Sequence, residues 1–348
     1  MKKLKIFSIL FAICSILTLL AGCQSGDSAT LYVYNWGDYM DPEVLKMFEE
    51  EENCKISYQE FATNEDLYVK IKNTRDPIDV IFPSDYMMER MIQENLVLEL
   101  DYSHIPNMEK ANDKFKHLDF DPENKYSAPY FWGTVGIVYN TEKVDGEITS
   151  WADLWNPKYE GQIVLYNSQR DVLMIALKKL GYSMNTRSEA ELEEAKEELM
   201  KQKPLVYAYL GDEIKDVLAG EDADIGVVYS GDAGIVMSTN DKFRYVLPKE
   251  GTNLWFDVAA VPKTTQNKEL AEKFINFLLR PDIAAMNAEY LQYATPVDEA
   301  KDLLSEELIG NPALYPDETL LENTEVFHDP KEVLKLYDRI WTEFTSGL

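Results

Sequence analysis

The 348-residue sequence predicts an α/β fold in two lobes, each a mostly parallel sheet flanked by helices, with hinge crossovers between them. Strand-like and helix-like segments alternate from residue 31 to 94, the signature of parallel βαβ units. The same alternation resumes after residue 162. Between the two series, residues 133–139 and 256–261 are apolar, β-prone and flanked by Gly or Pro, as suits strands that carry the chain from one lobe to the other.

Taken in order, residues 31–35 form the first strand, and 42–51 a helix opened by Asp41 with Pro42 in its first turn. A strand at 55–60, a helix at 64–72, a strand at 78–82 stopped by Pro83, and a helix at 85–94 complete the first series. The second has strands at 162–166, 205–209, 225–229 and 244–247, with helices at 171–180, 212–218 and 233–238. A long polar helix spans 188–201, with Thr186 and Glu189 at capping-box spacing before it. Helices at 268–279, 283–291 and 331–344 close the lobes. The division that follows puts 31–134 and 258–300 in lobe 1, and 135–257 and 301–348 in lobe 2.

The first 22 residues are not part of this fold. Lys2, Lys3 and Lys5 precede an apolar run over 6–20 that ends in Leu20-Ala21-Gly22-Cys23. A basic start, a short apolar stretch and small residues before a cut site make a secretory signal, and the run is shorter than the ~20 residues that span a bilayer. Cys23 resembles the lipid-modified cysteine of a bacterial lipobox, with 23–30 as a polar linker. Cys14 leaves with the leader and Cys23 carries lipid, so Cys54 stays alone and no disulfide forms within the mature chain. The formal charge of −28, more negative once the leader lysines are gone, repels nucleic acid and anionic headgroups and favours cationic partners.

Catalytic and cofactor motifs do not appear. The three histidines, His104, His117 and His328, are far apart, and there is neither H-E-x-x-H nor a cysteine-rich metal spacing. Tyr229-Ser230-Gly231-Asp232 lacks the glycine two residues before the serine of a nucleophile elbow, and no dinucleotide or phosphate loop is present. What recurs instead is an aromatic beside a carboxylate at strand ends: Trp36-Gly37-Asp38-Tyr39, Ser84-Asp85-Tyr86, Tyr229-Ser230-Gly231-Asp232 and Trp255-Phe256-Asp257. Ring faces attract cations and carboxylates make charge-assisted hydrogen bonds to them, so these turns suit an organic cation. Asp38 and Asp85 also suit helix caps, and Tyr86 and Tyr293 also suit core positions.

Longer blocks carry a family resemblance. Leu31-Tyr32-Val33-Tyr34-Asn35-Trp36, Pro129-Tyr130-Phe131-Trp132-Gly133-Thr134, Ser150-Trp151-Ala152-Asp153-Leu154-Trp155 and Ile275-Asn276-Phe277-Leu278-Leu279-Arg280-Pro281 resemble, in the same order, the spermidine/putrescine-binding proteins of bacterial polyamine ABC transporters. The resemblance implies a type II periplasmic-binding-protein fold that closes on a polyamine between its lobes. By position it implies an aromatic box of Trp36, Tyr39, Tyr86, Trp255 and Tyr293, with Tyr229 where relatives usually have tryptophan. It makes Ser84 a polar contact and Asp257 the amine-holding carboxylate, with Asp171 in place of a glutamate. Ser168 replaces an acid of the spermidine binders and Phe327 a glutamine, whereas Asp38 and Asp232 match acids of the putrescine-specific relatives. The pattern is mixed, and it leaves diamine and triamine both open.

The reading is therefore a monomeric extracytoplasmic receptor, lipid-anchored at Cys23 on a Gram-positive surface, that binds putrescine or spermidine and delivers it to a membrane ABC permease. It needs no cofactor or metal, binds no nucleic acid and is not an enzyme. Cadaverine and agmatine are alternative cations of the same chemistry. A ferric-ion site would use tyrosine and carboxylate oxygens, to which Trp36 and Trp255 contribute no ligand atom. An extracellular hydrolase would need a carboxylate pair, a signal without specificity among 62 acids.

Overall fold

The computed structural model describes residues 28–346; the leader, the Cys23 junction and most of the linker lie outside the described residues. In chain order the first series is β1 (Thr30–Trp36), α1 (Pro42–Glu52), β2 (Lys55–Phe61), α2 (Asn64–Asn73), β3 (Val80–Ile81) and α3 (Asp85–Gln93). The long β4 (Ser127–Asn140) leads to β5 (Ile163–Tyr166), α4 (Gln169–Leu180), α5 (Glu189–Gln202), β6 (Val206–Leu210), α6 (Ile214–Ala219), β7 (Ile225–Tyr229), α7 (Ser230–Thr239) and β8 (Phe243–Val246). Then follow β9 (Leu254–Ala260), α8 (Lys268–Leu278), α9 (Pro281–Leu291), the short α10 (Asp298–Lys301) and α11 (Glu306–Ile309), and α12 (Leu334–Thr345). Among the described residues no helix is long and apolar enough to cross a membrane.

The strands run in the order β2-β1-β3-β9-β4-β7-β5-β6, with β8 also on β4. In the first half β1 is parallel to β2 and β3, with Val33 opposite Tyr58 and Val80. In the second β5 is parallel to β6 and β7. Strand β4 joins the halves, and all 14 of its residues are buried. Its residues 127–134 pair antiparallel with β9, and its residues 135–139 pair with β7, so the change of partner strand falls between Thr134 and Val135. Pro129, which has no N–H to give a ladder, sits where the β4–β9 register slips. The return crossover ends earlier than the 257/258 boundary read from the sequence. Leu254 already pairs with Thr134, so Trp255 and Asp257 belong to the first sheet.

Side-chain period explains the layers. Strand β1 alternates, burying Leu31, Val33 and Asn35. Helix α1 buries Val44 and Phe48, and the Phe48 ring lies 4.9 Å from Phe274 and 5.3 Å from Phe277 of α8. The polar α5 buries only a stripe with Leu192, Ala195 and Leu199, which packs on α4 and on Tyr337, Ile340 and Phe344 of α12. Its cap differs from the spacing read above: Ser188, not Thr186, accepts the Glu191 N–H, and the Thr186 hydroxyl accepts the Ser188 N–H. Helices α4 and α7 begin earlier than the apolar pattern indicates. Ser168 caps α4 so that it starts at Gln169, and α7 starts at Ser230 directly after β7. Both shifts place an aspartate, Asp171 or Asp232, in a helix's first turn.

Candidate functional site

The carboxyl ends of the parallel strands converge where the lobes meet, the usual ligand position in α/β sheets. From lobe 1, β1 ends at Trp36 and leads to Tyr39, while β3 leads through Ser84 to Asp85 and Tyr86 at the start of α3. From lobe 2, β5 leads to Ser168 and Asp171, and β7 ends at Tyr229 with Asp232 just beyond. Trp255 and Asp257 project from the middle of β9. Tyr293 follows Gln292, whose left-handed φ of 59° ends α9 and turns the chain back.

Asp257 is buried and held at both oxygens from within lobe 1. Tyr39 Oη donates to Oδ2 at 2.8 Å and Ser84 Oγ to Oδ1 at 2.7 Å. Burial pushes its carboxyl up to about 6, against the pull of these two hydrogen bonds. Hydroxyls satisfy the oxygens without neutralising the charge, and among the described residues no cationic side chain pairs with Asp257.

The second lobe contributes two more buried acids. Asp171 Oδ2 accepts from Ser168 Oγ at 2.6 Å and from Tyr229 Oη at 2.8 Å, while its buried Oδ1 meets no hydrogen-bond donor among the described residues. Asp232 Oδ2 accepts from Tyr166 Oη, and its Oδ1 lies 3.6 Å from Lys215 Nζ. Burial raises both carboxyls; Ser168 and Tyr229 oppose this at Asp171, as Lys215 does at Asp232. First-turn positions in α4 and α7 favour the ionised forms, because unpaired N–H groups give a helix N-terminus positive character.

Aromatic rings connect these acids. The Trp255 ring lies 5.6 Å from Tyr293 and 6.1 Å from Tyr229, and Tyr293 lies 5.5 Å from Tyr39. Trp36 donates its indole N–H to the Phe82 carbonyl at 2.8 Å, and its ring lies 4.6 Å from that of Phe61 with the planes tilted by 53°. The Tyr86 hydroxyl accepts from Asn64 and donates to Glu65, each at 3.2 Å, and its ring lies 6.3 Å from Phe327. Gly231 admits the close packing here, since a Cβ on it would enter the Tyr293 ring from the other lobe.

Two of the acids singled out in the sequence stand apart. Asp85 accepts the backbone N–H of Tyr86 at 2.6 Å and that of Phe256 at 3.1 Å, so it clips α3 to β9 and its carboxylate is committed to the backbone. Asp38 is exposed on a left-handed turn at φ 47°, and Asp41 caps α1 in its place. Sequence reasoning missed Tyr166 and Lys215, which meet Asp232, and Arg170, whose guanidinium lies 4.3 Å from the Phe327 ring and 5.5 Å from that of Tyr86. Arg170 adjoins Asp171 in sequence, a signal that was available; nothing near Lys215 marks it.

A two-lobed sheet with acids and rings at the junction defines a solute-binding protein. The sequence model described as bacterial extracellular solute-binding protein matches residues 75–324, and this chain belongs to that family. It is a binding protein of transport and not an enzyme. A second sequence model, hypothetical lipoprotein (MG045 family), matches residues 1–126. The chain is 36% identical over 330 residues to the spermidine/putrescine-binding periplasmic protein of Salmonella typhimurium, covering 94% of this chain and 95% of the relative. A solved chain from Listeria monocytogenes, described as a spermidine/putrescine ABC transporter, superposes with a TM-score of 0.89 at 43% identity, covering 92% of this chain and all of the other. The spermidine/putrescine ABC transporter substrate-binding protein of Streptococcus pneumoniae gives 0.80 at 42% identity, covering 92% and 99%.

Proposed function

We propose that this protein captures a polyamine between its lobes and passes it to a membrane permease, held to the outer face of the cell membrane by lipid on Cys23. One observation carries the ligand class: Asp257 is buried, its side-chain hydrogen bonds among the described residues come only from the Tyr39 and Ser84 hydroxyls, and the Tyr39 ring belongs to an aromatic cluster with Tyr293 and Trp255. A carboxylate in that setting calls for a cation, and ring faces along the way suit the methylenes and ammonium groups of an alkyl amine better than a metal ion. Asp171, with one oxygen unpartnered among the described residues, offers a second anchor from the other lobe. A ligand that touches both lobes stabilises their closed arrangement through contacts that the open form lacks. The names of the relatives support the same class.

Calorimetric titration of the mature chain with putrescine, spermidine, cadaverine and agmatine tests this. Saturable one-to-one binding of at least one amine is expected, and absence of binding to all four refutes it.

A further inference from the structure

We propose that Lys215 is a built-in cation that fills one ammonium subsite of the cleft and so restricts this protein to diamines. The inference rests on the polyamine reading above and concerns how many ammonium groups the site accepts.

The three buried acids at the junction are not equivalent. Among the described residues, Asp257 receives side-chain hydrogen bonds only from Tyr39 and Ser84, and Asp171 only from Ser168 and Tyr229. The one cation beside Asp171 in sequence is Arg170, and its guanidinium is engaged elsewhere, donating to the His328 carbonyl at 3.1 Å and to Asn185 Oδ1 at 3.2 Å. Asp232 differs, because Lys215 Nζ stands 3.6 Å from Oδ1 while Tyr166 occupies Oδ2. Lys215 comes from the first turn of α6, and its side chain is 27% exposed against 7% for Asp232, so the ammonium enters from the rim toward a buried acid.

Charge matching then sets the ligand. Asp257 in lobe 1 and Asp171 in lobe 2 leave two carboxylates for ligand ammonium groups, whereas Asp232 already faces the Lys215 ammonium, with the Asp212 carboxylate in the same field. A diammonium chain balances the site. A third ammonium finds its acid taken and meets the like charge of Lys215, a repulsive element of the kind that creates selectivity. Without Lys215, Asp232 becomes a third buried carboxylate in want of a cation.

The test is calorimetric titration of the mature chain and its variants with putrescine and spermidine. The native chain binds putrescine at least as tightly as spermidine. Lys215→Met, and independently Lys215→Gln, shift the Kd ratio toward spermidine by about tenfold or more, while Lys215→Arg keeps the native preference. Adding Asp232→Asn to Lys215→Met removes the gain, which shows that it acts through that acid. A folded Lys215→Met whose ratio stays within about threefold of native overturns the proposal. So does a gain that survives in the double variant, or a native chain that already prefers spermidine by about tenfold. A native chain that binds neither amine removes the polyamine reading itself, and this assignment with it.

Discussion

Replacing Asp257 by asparagine separates binding from stability, because the same carboxylate supports one and burdens the other. Its carboxyl is raised from the ordinary 3.8 to about 6 by burial. The folded state therefore holds more protons than the unfolded state between those pH values, and the stability contributed by this group falls as pH rises from about 4 through 6. At pH 7 the ionised form costs about 3 kcal/mol relative to a carboxylate in water. A neutral asparagine side chain would not bear that cost, and the Tyr39 and Ser84 hydroxyls can turn to meet its amide as they meet the acid. Binding moves the opposite way. Removing one partner of a buried ion pair costs about 3–5 kcal/mol, which is roughly a hundredfold to several thousandfold in Kd. Titration with putrescine at about pH 7.5, well above the Asp257 titration, and thermal unfolding of the ligand-free protein read the two effects separately. Asp257→Asn should weaken binding by at least about a hundredfold while raising the unfolding midpoint. A folded variant with Kd within about threefold of wild type would refute the anchoring role.

Three further outcomes follow from the same geometry and sequence. Since Asp257 must be ionised to pair with an ammonium and titrates at about 6, polyamine affinity should fall as pH drops below that value, and a flat profile between about pH 7 and 5 would contradict this. Gly231→Ala puts a methyl group into the Tyr293 ring across the lobe junction, so it should weaken binding about tenfold and leave the ligand-bound protein more open in small-angle scattering; unchanged Kd and radius would show that the ring gives way. Cys23→Ala should abolish palmitate labelling and release the protein from the membrane fraction, and continued labelling would exclude Cys23 as the lipid site.

Local pattern accounts for most of the element order. The alternation of Leu31 and Val33, the Asp41-Pro42 start of α1 and the Pro83 stop after β3 are all short-range signals, and each marks an element in the structure. Strand-end turns rich in rings and acids likewise singled out Tyr39 and Tyr229, because the carboxyl ends of parallel strands gather at one edge, whereas Trp255 and Asp257 lie within β9, which runs antiparallel to β3 and β4. The extent of β4 was not legible, since Pro129 argues against a strand and only pairing with β9 provides the slip that tolerates it.

Which acid does what was decided by tertiary contacts alone. Asp85 and Asp257 look alike in sequence, each beside an aromatic, yet Asp85 is turned onto the backbone of Phe256, 171 residues away, while Asp257 is held by side chains 173 and 218 residues away. Asp232 reads as a free carboxylate until the packing of α6 brings Lys215 to it. The physical reason is that backbone hydrogen bonding and side-chain period are set by near neighbours, whereas the charge on a buried carboxylate is set by whichever donors the two lobes bring within a few ångströms of it.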